Sequence, residues 1–79
     1  MDAGTALGFA LPIGVGLAAI GSGIGLGRAI DGATTAMGRQ PQAAGKIQTA
    51  MIIGAAMIEA LTIYALVVVF ILMTKIPKV

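Results

Sequence analysis

Two apolar stretches, residues 3–27 and 47–74, make up most of the chain, and a single charged position, Glu59, interrupts the second. Asp2 and Arg28 bound the first stretch, and Lys46 and Lys75 bound the second. Each is longer than the roughly 20 helical residues that a hydrocarbon core of about 30 Å requires. Irregular backbone finds no hydrogen-bond partner in hydrocarbon, so both stretches predict helices. Between them, Gly38-Arg39-Gln40-Pro41-Gln42 reads as a turn, because the proline biases Gln40 away from helical angles. The pattern predicts an all-α membrane protein, a single-domain antiparallel hairpin. Helix 1 is expected over about 4–38, a polar loop over about 39–43 and helix 2 over about 44–75.

Composition strengthens the membrane reading. Hydrophobic residues are 58% of the chain and charged residues only 10%, against roughly 25% charged in an ordinary soluble domain. The 79 residues contain no cysteine and no histidine. Disulfides, thiol nucleophiles, thiolate metal sites and the commonest general base are thereby excluded. No cofactor is expected. The net charge of +2 comes from Arg28, Arg39, Lys46, Lys75 and Lys78, which are dispersed along the chain and do not suggest a nucleic-acid partner. Arg39 and Lys46 favour a cytoplasmic loop, Lys75 and Lys78 oppose that vote, and charge alone leaves orientation unassigned. The first stretch begins with Asp2 rather than a basic segment and runs past signal-peptide length. An integral, multi-pass protein of a bacterial plasma membrane is expected, with an organelle energy-transducing membrane as the alternative.

Small residues are patterned in helix 1. At about 100° per residue, Gly14, Ala18, Gly21, Gly25, Ala29, Gly32 and Ala36 fall on one stripe, and Gly16, Gly23 and Gly27 fall roughly opposite. Small residues allow close backbone approach. One such stripe suits a dimer seam; two suit a helix with a neighbour on each side, as in a closed ring. Gly- and Ala-rich membrane helices are common enough that the pattern alone leaves simple membrane composition open. Pro12 predicts a modest bend. Gly14-Val-Gly16-Leu-Ala18-Ala19 matches a dinucleotide-binding pattern only in letters, since no strand precedes it. Gly45-Lys46 lacks the Ser or Thr and the earlier glycine of a phosphate-binding loop.

Glu59 lies 13 residues after Lys46 and 16 before Lys75, near the middle of a bilayer. A charged carboxylate there costs about 3 kcal/mol even on lenient insertion scales, which makes an intramembrane acid a functional candidate by default. Ile52, Ala55, Ala56, Thr62, Ile63, Leu66 and Phe70 share its broad face and offer no basic partner. Facing lipid, Glu59 is expected to be protonated and neutral; beside a cation or water, its ionised form becomes favourable. A carboxyl alternating between these settings carries protons. The competing reading is a protonated hydrogen-bond staple between helices, worth about 0.6–2 kcal/mol.

Three segments together resemble the c subunit of the rotary F-type ATP synthase. They are Gly21-Ser-Gly23-Ile-Gly25-Leu-Gly27, Gly38-Arg39-Gln40-Pro41-Gln42 and Met57-Ile-Glu59-Ala-Leu-Thr62-Ile-Tyr64. The resemblance covers nearly the whole chain and implies a closed ring of identical hairpins, with glycine-rich first helices inside and carboxyl-bearing second helices outside. It implies Glu59 as the proton-binding residue, with Thr62, Tyr64, Gly23 and Gly25 supporting it. Gly14, Gly16, Gly21, Gly23, Gly25 and Gly27 are implied in ring packing. Arg39, Gln40 and Pro41 match the loop that touches the central-stalk subunits gamma and epsilon. The a subunit would supply two half-channels and an arginine, and membrane lipid would surround the ring. The chain would then be a non-catalytic component of a proton-transporting complex.

The ion follows from the neighbours of the acid. Sodium needs several hard oxygen ligands, and the sodium-binding relatives' positions are here Ala60, Leu61 and Leu26. Thr62 could supply a side-chain oxygen, though a threonine three residues after the acid more often bonds its own helix backbone. Protons are the expected cargo, with a sodium-translocating rotor as the alternative. Ser22 receives no role. A four-span V-type proteolipid, a holin-like pore former and a purely structural hairpin are the remaining readings.

Overall fold

The structure, a computed structural model, describes residues 1–77; Lys78 lies outside the described residues. Helix α1 runs Ala3–Arg39, a single 3-10 turn covers Pro41–Ala43, and helix α2 runs Ala44–Met73. The two helices form one antiparallel hairpin of 60 × 17 × 12 Å.

Each boundary has a local cause. Asp2 caps α1, its Oδ1 accepting from the Thr5 amide at 2.7 Å, so that one of the four partnerless amides of the first turn is satisfied. Gln40 ends α1 with φ −133° and ψ 74°, outside the helical region that a following proline disfavours. Its amide still donates to the Ala36 carbonyl at 2.9 Å. Pro41 then opens the 3-10 turn, where its missing N–H would have had no helical partner. At the far end, α2 stops at Met73 rather than near residue 75. The amides of Thr74, Lys75 and Ile76 fall back to carbonyls three residues earlier, the tightened geometry with which helices commonly terminate. Helix α1 continues through Pro12 without a break.

Gly4 lies beside Pro77, Ser22 beside Ile58 and Thr62, and Gly25 beside Ile58. These pairs fix the antiparallel register. By it, Arg28 and Asp31 of α1 stand level with about residues 50–54 of α2. At the same height, then, α1 presents charge while α2 presents Ile52 and Ile53, both exposed.

The interior is a seam rather than a core. Among the described residues only Leu11 and Ser22 are buried. The accessible surface is 5804 Å², against about 4400 Å² expected of a compact soluble chain of this mass. Phe9, Leu17, Ile20, Ile53, Leu61 and Phe70 are all at least half exposed. Two helices are long and apolar enough to cross a membrane, and lipid or sister chains must cover these side chains.

Candidate functional site

Glu59 lies fifteen residues from the first residue of α2 and fourteen from the last. Its side chain is exposed on the hairpin surface. The face of α2 that meets α1 runs through Met51, Ala55, Ile58, Thr62, Ala65 and Val69, all partly buried. Glu59 sits about 80° from the middle of that face, on a flank it shares with Ile52, Ile63 and Phe70. The acid therefore borders the hairpin seam and opens outward among apolar groups.

Tyr64 is 67% exposed and lies about 140° around α2 from Glu59. Within one hairpin the two cannot meet. They occupy opposite flanks, so a tyrosine contribution to the site requires a second copy.

Thr62 behaves differently from the expectation that it bonds its own helix. Its Oγ1 donates to Ser22 Oγ at 2.7 Å and also lies 3.4 Å from the Ala18 carbonyl. Ser22 Oγ in turn donates to the Ile58 carbonyl at 3.1 Å. Ser22, to which the sequence assigns no role, is the most buried described residue, with 3% of its surface accessible. A hydroxyl among glycines invites no comment in sequence; only the facing threonine and carbonyl reveal its purpose.

The glycines of α1 divide by position. Ala18, Gly25, Ala29 and Ala36 turn partly inward towards α2, and a Cβ on Gly25 would meet Ile58 Cγ2 at 3.6 Å. Gly14 and Gly21 lie about 80–100° to one side of the seam, and Gly16, Gly23 and Gly27 about 100–140° to the other. A Cβ on any of these five would meet nothing within 4 Å. The long first stripe is thus split: part serves the hairpin seam and part lies on an open flank. Gly23 stands on the outer flank of α1, away from α2.

At the turn end, Asp31, Thr35, Arg39, Gln40 and Ile47 line an open cleft of about 480 Å³. Arg39 and Gln40 are exposed there beside Pro41, so the three loop residues form one surface at the hairpin tip. At the opposite end the Thr5 amide holds the Asp2 carboxyl below its ordinary titration range, because the bond favours the charged acceptor.

Comparison with known proteins agrees with this architecture. The family profile described as the ATP synthase C subunit matches residues 2–72. The ATP synthase c subunit of Protochlamydia amoebophila is 64% identical over 75 residues, covering 95% of this chain and 76% of that protein. Its counterpart in Syntrophobacter fumaroxidans is 52% identical over 81% of this chain and 71% of its own. That of Desulfosudis oleivorans is 49% identical over 92% and 72%. No solved structure gives a significant match. The profile spans both helices, the loop and Glu59, and on that match this hairpin belongs to the family of ATP synthase c subunits.

Proposed function

We propose that this hairpin carries protons, and that reversible protonation of Glu59 couples their flow to rotation of a ring of identical copies. The observation that carries the reading is a single carboxyl midway along α2, exposed on an apolar flank. Protonated, it can face lipid without the cost of about 3 kcal/mol that a charge incurs. Beside water or a cation it releases its proton. The a subunit is the source of that second setting, through two half-channels and an arginine. Each Glu59 loads from one side, travels through lipid and unloads to the other.

Two features favour α1 inside the ring and α2 outside. The flank glycines of α1 leave open space on both sides of the seam, which admits a neighbour on each. The charged third of α1 lies level with an apolar part of α2, so α2 is the better lipid-facing element. In the same arrangement Tyr64 of one copy turns towards the Glu59 flank of the next, and Gly23 and Gly25 keep the inner wall thin near the acid. Arg39, Gln40 and Pro41 present the contact for gamma and epsilon. Each proton releases about 2.3 kcal/mol per 100 mV, so several must be summed for each ATP, and rotation performs the summing. ATP chemistry belongs to other subunits.

The test is Glu59→Gln in membranes that make ATP from a proton gradient. The amide is nearly isosteric and cannot ionise. The expected outcome is loss of gradient-driven synthesis to background, with ring assembly retained. Undiminished synthesis would overturn the reading.

A further inference from the structure

We infer that Ser22 and Thr62 form a hydroxyl clamp that positions Glu59, by pinning the α2 turn that bears the acid to α1 on both sides of it. The inference rests on Glu59 being the titrating group of the proposed function. Thr62 Oγ1 lies 2.7 Å from Ser22 Oγ, and Ser22 Oγ lies 3.1 Å from the Ile58 carbonyl. A hydroxyl has one proton and accepts others. With Thr62 donating to Ser22 and Ser22 donating to Ile58, every proton in the relay is used once. The longer 3.4 Å approach of Thr62 to Ala18 leaves that carbonyl a secondary acceptor.

The anchored positions are residue 58, immediately before the acid, and residue 62, one turn after it. Rotation of α2 about its axis relative to α1 would stretch both bonds, and rotation is the movement that would swing Glu59 across the flank it occupies. The apolar seam resists it weakly beside the acid, because Gly25 presents no side chain to Ile58. Without water, each hydroxyl has only its own helix as an alternative partner, so turning α2 exchanges the cross-seam bonds for bonds within the helices. Ser22 is the one buried polar residue described, and its bonds are spent beside the acid rather than elsewhere along the seam.

No other group near this turn competes for the role. Residues 15–26 of α1, packed against it, contain no titratable side chain. On α2 the nearest is Tyr64, about 140° around the helix. Ser22 and Thr62 act on the acid through the backbone of its turn; they are positioning residues.

The experiment measures the rate at which a hydrophobic carbodiimide labels Glu59 across pH, in native membranes containing the assembled complex. Carbodiimide adds to the protonated carboxyl, so the profile reports the acid's setting. Ser22→Ala and Thr62→Val each remove one hydroxyl and little volume, and Thr62→Ser restores it. The expected result is a shift of the labelling midpoint by at least about 0.5 pH unit in S22A and T62V, about a threefold change in the ratio of protonated to ionised carboxyl at fixed pH. T62S should return to the wild-type profile, and the S22A/T62V double variant should shift no further than either alone, because the pair acts as a unit. Wild-type profiles in both S22A and T62V, with rings intact, would overturn the clamp. If S22A rings fail to assemble, T62V against T62S carries the comparison unchanged. Failure of the proposed function would show separately, as gradient-driven ATP synthesis that survives Glu59→Gln while these profiles still respond to the hydroxyls.

Discussion

Thr62 shows how one residue type divides by surroundings. Thr34, Thr49 and Thr74 send their hydroxyls back to carbonyls three or four residues earlier, the usual habit of helical threonine. Thr62 instead reaches across the seam, because Ser22 offers an oxygen at 2.7 Å. Asp2 is a second residue whose role depends on one bond. The Thr5 amide lowers its titration below the ordinary value of 3.8. A carboxyl lowered on folding stabilises the helix end above that ordinary value and ceases to do so as pH falls through the lowered one. At neutral pH, Asp2→Ala should therefore speed hydrogen exchange at the Thr5 amide several-fold, while Asp2→Asn, which still accepts, should change it little. In the wild type, exchange corrected for its intrinsic pH dependence should rise only on acidification below 3.8.

At the scale of the helix, α1 and α2 solve different problems. Beyond Lys46, Gln48 and Thr49 in its first turns, helix α2 is apolar apart from Glu59, Thr62 and Tyr64, as suits contact with lipid on one side and α1 on the other. Helix α1 spends its small residues on three directions: one towards α2 and two towards the open flanks. Substitutions should separate these uses. Gly25→Ala places a Cβ at 3.6 Å from Ile58 Cγ2, an ordinary contact, and should leave both hairpin and ring intact. At Gly21 a Cβ would meet nothing within 4 Å in its own hairpin, so Gly21→Leu fills an open flank. Circular dichroism should show unchanged helicity, and the detergent-stable ring should weaken at least about tenfold, equivalent to about 1.4 kcal/mol. An intact ring with leucine at 21 would mean that the flank is not a seam between copies.

The whole molecule is an incomplete object by itself. A surface of 5804 Å² on a two-helix hairpin leaves most apolar side chains in need of lipid or copies of the same chain. As a member of an ATP synthase family it assembles within that membrane complex. Cargo is the property tested at this scale. Ala60, Leu61 and Leu26 supply no side-chain oxygen, and the Thr62 hydroxyl is committed to Ser22. Replacing sodium by potassium should leave gradient-driven ATP synthesis within about twofold, whereas a hydrated hard cation would need several oxygens to replace its shell; a sodium requirement would reverse the assignment. Residue order alone determined much of this protein. Apolar runs long enough to span hydrocarbon dictate helices, Pro41 dictates the turn, and one carboxyl in an apolar run marks itself by its cost. Tertiary structure decided what depends on rotation between the helices. It turned Ala18, Gly25 and Ala29 inward and left Gly14 and Gly21 outside. It separated Tyr64 from the Glu59 of its own chain, and it joined Ser22 to Thr62. Helical periodicity places residues around each axis, but the angle at which two axes face each other is set by packing across the seam.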